Sequence, residues 1–157
     1  SRIYQIMSTP IPEGDLLYES DFDEHWFVGG IADYVAGNLD RVSEIKYLQE
    51  SLEKRKIASF DSPSSFSILP GGKENYFAAA YEWFTAAAQE AAAMNLESFA
   101  GDSECSSLVY QIKNSHCDNF GTYVSSDEFD TIPMDELIRC AEPGKPYYIG
   151  SVLYYHY

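Results

Sequence analysis

Apolar residues along this chain alternate in some stretches and recur at helical spacing in others, and the order of those patterns predicts a mixed fold. RIYQIM (Arg2 to Met7) is short and rich in β-formers, and STPIPEG breaks it, which predicts a first strand. In DEHWFVGGIADYVAG, Trp26, Phe27, Ile31, Tyr34 and Val35 fall on one helical stripe. The pair Gly29-Gly30 weakens that helix, by about 1 kcal/mol per glycine against alanine, and marks either a close backbone approach or a break between two short helices. NLDRVSEIKYLQESLEKRK is a firmer helix. Val42, Ile45, Leu48 or Gln49, and Leu52 recur at three- and four-residue steps, and Asn38 or Asp40 can cap its start. Lys54, Arg55 and Lys56 gather at its end, where the helix dipole favours cations, and Lys46–Glu50 and Glu50–Lys54 are spaced as i,i+4 pairs.

SFDSPSSFSILPGG reads as a connector with one short strand from Phe66 to Leu69. KENYFAAAYEWFTAAAQEAAAMNLESFAG follows, with the strongest helical propensity in the chain. Phe77, Tyr81, Phe84, Ala88 and Ala91 make one stripe, and Tyr76, Ala80, Trp83 and Ala87 an adjoining one. So wide an apolar face places this helix near the centre of the fold. SSLVYQIK alternates, with Leu108, Tyr110 and Ile112 on one side, and pairs in this reading with FGTYVSS across NSHCDN as a hairpin. DTIPMDELIRCAEPG is a short helix with Pro133 in its first turn and Pro143-Gly144 stopping it. KPYYIGSVLYYHY is apolar or aromatic on both sides, which suits an interior strand. The order predicts a single α+β domain over residues 1–157. Its sheet is mostly antiparallel (N-terminal strand, central hairpin, C-terminal strand), packed with three to four helices including the long alanine-rich one.

Composition changes this picture mainly through charge. The net charge of −15 and pI near 4.3 oppose direct binding to nucleic-acid phosphates or anionic membranes and favour cationic partners, although negative charge also serves solubility. Thirteen tyrosines suit half-buried positions and interfaces. Cys105, Cys117 and Cys140 are odd in number and irregularly spaced, so a reducing, cytoplasmic setting is expected rather than a disulfide framework. SRIYQIM shows no charged-then-apolar leader pattern, and no apolar run approaches the length of a membrane span.

Signatures of reaction chemistry are missing: no G-x-G-x-x-G, phosphate loop, G-x-S-x-G, H-E-x-x-H or EF-hand loop is present. His116, Cys117 and Asp118 are sequence neighbours whose side chains do not converge on one ion, and Cys117 is poorly placed for deprotonation by His116. His25, beside Glu24 and Trp26 with Asp21 and Asp23 upstream, reads as a helix-start residue paired with surface acids, with acid–base catalysis as the sharper alternative. His156 reads as a hydrogen-bonded residue at a strand edge. No catalytic residue, metal ligand or cofactor is assigned.

Acidity is uneven. Residues 1–38 hold seven acids against one base, 39–60 four against five, 61–100 five against one, and 101–157 nine against three. The first and last segments stand out, the last through SSDEFDTIPMDE with Asp127, Glu128, Asp130, Asp135 and Glu136. If the two come together, they form a negative face with Tyr18, Phe22, Trp26 and Phe129 among the acids. The partner-binding residues expected on that basis are Glu13, Asp15, Tyr18, Glu19, Asp21, Phe22, Asp23, Glu24, Trp26, Asp127, Glu128 and Asp130. Such a face suits a basic protein groove that normally holds nucleic acid. The leading expectation is therefore a non-enzymatic interaction domain, an inhibitor or adaptor of nucleic-acid-mimic type. In acidity, size and aromatic content it resembles the DNA-mimicking anti-restriction and anti-CRISPR proteins, with no motif that ties it to them. The alternatives are a small carboxylate- and histidine-based enzyme, or a domain that homodimerises through its final strand or alanine-rich helix.

Overall fold

The final strand organises the molecule. The computed structural model describes residues 1–37, 40–101 and 104–157. Its elements run β1 (Arg2–Met7), α1 (Phe27–Gly30), β2 (Tyr34–Ala36), α2 (Arg41–Lys54), β3 (Ala58–Ser62), β4 (Ser65–Ile68), α3 (Gly72–Ala93) and α4 (Leu96–Gly101). The chain continues through α5 (Cys105–His116), β5 (Tyr123–Ser126), β6 (Asp130–Pro133), α6 (Met134–Cys140) and β7 (Pro146–His156). Seven strands form one sheet in the order β3-β4-β7-β1-β5-β6, with β2 also on β7; β1–β5 is parallel and the other pairings are antiparallel. The expected α+β class with a mostly antiparallel sheet is what the structure shows.

β7 is an interior strand, as its two-sided apolar pattern implies. β1 takes one edge, and β4 and β2 take opposite ends of the other. Between those two, the Arg41 guanidinium donates to the carbonyls of Gly150 (2.5 Å) and Ile149 (3.1 Å), satisfying backbone acceptors that no strand reaches. The strand is not an edge open to a second copy.

Register separates the two faces of the sheet. Tyr4 lies level with Val152 and Val124, and these pack with Ile45, Leu48 and Leu52 of α2 and Met134, Leu137 and Ile138 of α6. Ile3 lies level with Leu153 and Tyr123, and these face the opposite way, against Phe22, Phe27 and Ala32. Helices cover the first face. The loop carrying residues 13–32 covers the second.

Four expectations are corrected. SSLVYQIK is helical, within α5, and not a strand. Leu108, Tyr110 and Ile112 share one side of a strand at every second position, yet Leu108 and Ile112 are also an i,i+4 helical pair, and so short a run fits both periods. The hairpin partner of FGTYVSS is β6, and a further hairpin, β3–β4, occupies the stretch read as a connector with one strand. DEHWFVGGIADYVAG is not one helix: Gly29 adopts φ +86°, the helical turn ends, and Tyr34–Ala36 becomes β2. The alanine-rich α3 is not central. Of its residues only Gly72 and Ala87 are buried, while Tyr81 and Trp83 are 66% and 67% exposed, because α3 packs chiefly on α5 rather than the sheet.

α2 behaves as read, with Ile45, Leu48 and Leu52 buried and Asp40 capping Ser43, although Val42 is exposed. Lys46 and Glu50 are 4.0 Å apart, and Asn38, the other candidate cap, lies outside the described residues.

Burial raises the phenols of Tyr4, Tyr123 and Tyr155 to about 12 from their ordinary 10. A raised folded pKa means that the native state keeps protons the unfolded chain releases. Stability is therefore whole below pH 10 and declines as pH climbs towards 12. Ultraviolet absorbance of tyrosinate should show these phenols ionising late, together with loss of the near-ultraviolet circular dichroism. Complete ionisation of all thirteen tyrosines at the ordinary value, with the fold intact, would contradict the packing described.

Candidate protein-interaction face

Three anchors hold the acidic loop on the second face of the sheet. The first is Gln5, the polar residue in the middle of RIYQIM, which is 4% exposed. Its side-chain amide donates to the Asp15 carbonyl (2.7 Å), and its oxygen accepts from the backbone N–H groups of Leu17 (3.2 Å) and Ser151 (3.1 Å). Gly150 makes room for it: a Cβ there would lie 2.3 Å from Gln5 Oε1. The second anchor is aromatic. Phe27 is fully buried, with its ring 4.8 Å from that of Tyr123 and 5.1 Å from that of Tyr155, in edge-on geometry.

The third anchor is Asp130, at the start of β6, with φ +54°. His25 Nε2 meets Asp130 Oδ1 at 2.8 Å, Trp26 Nε1 donates to Oδ2 at 2.9 Å, and the Thr131 N–H donates to Oδ1 at 2.7 Å. The Phe27 N–H donates to His25 Nδ1 (3.2 Å), which makes Nε2 the protonated nitrogen that donates to Asp130. Burial pushes the Asp130 carboxyl upward, but the hydrogen bonds from Trp26, Thr131 and His25 outweigh it and hold the group below its ordinary value.

These anchors bring the two acidic regions together. A cleft of about 230 Å³ is floored by Gln5, Ser125 and Ser126 and walled by Asp21, His25, Asp127 and Asp130. Glu13, Asp15, Glu19, Asp23 and Glu24 are exposed along the same loop, as are Tyr18 (59%) and Trp26 (51%). Asp21 is also a local brace, accepting from the Tyr18 N–H at 2.7 Å. Glu128 accepts from the Ser8 N–H (3.0 Å) and hydroxyl (2.5 Å); these bonds, with a smaller pull from Lys145, lower its pKa. Among the described residues, lysine and arginine ion pairs join Arg2 to Glu44, Lys46 to Glu50 and Arg139 to Glu136. None neutralises the acids of 13–24 or 127–130.

Not every expected contact residue lies on that face. Phe22 is 2% exposed and belongs to the core, and Phe129 packs against the core of the opposite face. Asp135 and Glu136 also point elsewhere: Asp135 accepts from the Tyr76 hydroxyl (2.7 Å) and the Asp118 N–H (2.9 Å), and Glu136 pairs with Arg139. Sequence reasoning missed Gln5, Gly150 and Ser8. The one trace of them was a polar residue interrupting an apolar strand.

Other candidate chemistry resolves to structure. Burial, with Asp135 and Glu136 nearby, pushes the Cys117 thiol up to about 11, the wrong direction for a nucleophile. Among the described residues no group of three or more histidine, cysteine, aspartate or glutamate side chains is placed to hold a metal. His156 lies 3.5 Å from Asp33 and stacks on Tyr34. No protein-family model, curated protein or solved structure matches the chain.

Replacing Gly150 by alanine should set the new methyl against Gln5 and loosen the loop above it. The expected loss is about 1–3 kcal/mol of unfolding free energy in chemical denaturation, as for other overpacked interiors. A Gly150→Ala variant as stable as the parent would show that the Gln5 anchor is dispensable.

Proposed function

We propose that this protein is an acidic interaction domain that occupies a basic surface on a protein partner, of the kind that otherwise receives nucleic acid. One observation supports this reading: acids about a hundred residues apart in sequence, Asp21 with Asp127 and Asp130, line one cleft anchored to the sheet, and among the described residues no lysine or arginine ion pair joins the acids of 13–24 or 127–130. The exposed rings of Tyr18 and Trp26 add apolar contacts of the type that dominate interface energies. Direct contact with nucleic acid or an anionic membrane is opposed by the same field. No helix among the described residues is long and apolar enough to cross a membrane. The three free cysteines accord with a reducing, cytoplasmic compartment.

Geometry weighs against the enzyme alternative for this cleft. Both ring nitrogens of His25 are engaged by the protein, and the Asp130 pKa is shifted down, which makes it a weaker base. The His25–Trp26–Asp130 set fits the task of latching a loop. For the homodimer alternative, the interior position of β7 removes one of its two proposed surfaces.

A charge-balanced comparison tests the proposal. Asp23→Lys, Glu24→Lys and Asp127→Lys together should weaken binding to an arginine- and lysine-rich nucleic-acid-binding protein at least about tenfold, with steep salt dependence in the parent. Asp21 is left out because its carboxylate braces Tyr18. The same reversal at Glu50, Glu82 and Glu90, away from the face, should change affinity little. Equal losses from both triple variants would mean that net charge alone attracts the probe, and the proposed face would be wrong.

A further inference from the structure

A second cleft, of about 640 Å³, opens between α3 and α5 and shares no lining residue with the acidic cleft. The rings of Tyr76, Trp83, Tyr110, Phe120 and Tyr157 face it. Its charged lining is Asp118, Asp135 and Arg55, two carboxylates against one guanidinium. Arg55 is already committed at one end: its guanidinium lies 5.5 Å from the centre of the Tyr76 ring and donates to the Tyr76 carbonyl at 2.9 Å. Both oxygens of Asp135 are occupied, by the Tyr76 hydroxyl and the Asp118 N–H. Asp118 differs. Its Oδ1 accepts from the Phe120 N–H at 2.9 Å, and no hydrogen bond reaches its Oδ2 among the described residues.

The aromatic walls show the same imbalance. Cations of this chain sit over Tyr47, Tyr76, Phe77 and Tyr147. None covers Trp83, Tyr110, Phe120 or Tyr157 among the described residues, and these are 67%, 59%, 42% and 56% exposed. Phe120 and Tyr157 form a corner, with ring centroids 5.1 Å apart and planes at 49°. Rings of this kind attract a cation through their quadrupoles, and attract it more when a carboxylate stands beside them. A neutral ligand would leave the Asp118 charge unmatched. An anion would be opposed by them and by the net charge of −15.

We propose that this cleft binds a small alkylammonium ion, its cationic head among Trp83, Tyr110, Phe120 and Tyr157 beside Asp118. The volume admits a head with an attached chain, as in quaternary ammonium compounds. This site is independent of the acidic face, and neither reading depends on the other.

The chain has two tryptophans, so Trp26→Phe, which keeps a ring but gives up the bond to Asp130 on the other face, leaves Trp83 as a single reporter inside the cleft once circular dichroism shows the fold unchanged. Choline added to that variant should change Trp83 emission saturably. Its uncharged carbon isostere, 3,3-dimethyl-1-butanol, should bind about tenfold more weakly, and sodium chloride at matched ionic strength should produce no saturable change. Asp118→Asn keeps the acceptor for Phe120 while removing the charge, and should weaken choline binding about fivefold or more. Tyr110→Leu, on an exposed helix position, should do likewise with circular dichroism unchanged. No saturable response to choline, an equal response to the isostere or to salt, or undiminished binding by either folded variant would overturn the proposal.

Discussion

The structure depends on covering both faces of β7. A strand that carries Val152 on one side and Leu153 and Tyr155 on the other exposes apolar surface unless each side is roofed, and each large side chain left bare forfeits about 1.5–3 kcal/mol. Helices α2 and α6 roof one side. For the other, the chain offers no comparable helix and uses the loop of residues 13–32, with Phe27 inserted between Tyr123 and Tyr155 and Phe22 beside it. This explains why aromatic and acidic residues alternate so closely near the start of the sequence. Part of the aromatic content faces inward as core, and the carboxylates face out because the same loop is also the molecular surface.

That double duty sets an electrostatic problem. Exposed acids on one short loop repel each other, and among the described residues no lysine or arginine ion pair relieves them. Attachments to uncharged or single partners hold the loop instead. Gln5 ties it to the sheet through backbone bonds, which salt does not screen. Asp130 uses one carboxylate to receive both His25 and Trp26. Among the described residues no lysine or arginine ion pair reaches Asp23, Glu24 or Asp127.

Where two independent signals agreed in the sequence, the fold was legible. β7 declared itself by apolar residues on both sides, α2 by periodicity together with the Asp40 cap and its basic end, and α6 by Pro143-Gly144 at its end, although DTIP, read as its first turn, is strand β6 and Pro133 caps the helix from outside. Reading failed where one signal stood alone. Alternation over Leu108 to Ile112 was too short to separate a strand from a helix, and NSHCDN after it fits a hairpin turn and a helix end alike. Alanine content established that α3 is a helix but could not establish what it packs against, since alanine serves a buried contact and an exposed surface equally. The site was half legible. Charge counting found both acidic segments, but their meeting depends on the β1–β5 pairing and on Asp130 reaching His25, long-range facts with no local signature. Phe22 and Trp26, four residues apart in one acidic stretch, face core and solvent respectively, and composition alone does not separate them.

The helical arm poses the complementary question. α3, α4 and α5 bury little beyond Gly72, Ala87 and Leu108, and of their larger apolar residues Tyr76 and Phe77 pack against the central core. Hydrogen bonding joins this arm to the sheet region at a few places, chiefly Tyr76 to Asp135, Lys73 to the Arg139 carbonyl and Arg139 to the His116 carbonyl. Burial and the two neighbouring carboxylates, with Arg55 opposing them, push the Tyr76 phenol upward, so it remains a proton donor throughout the physiological range. Burial thus keeps Tyr76 the donor in its bond to Asp135. The arm is therefore held in register while its aromatic surface stays exposed. Trp83, Tyr110 and Phe120 on and beside this arm are the exposed rings on which the proposed alkylammonium site rests.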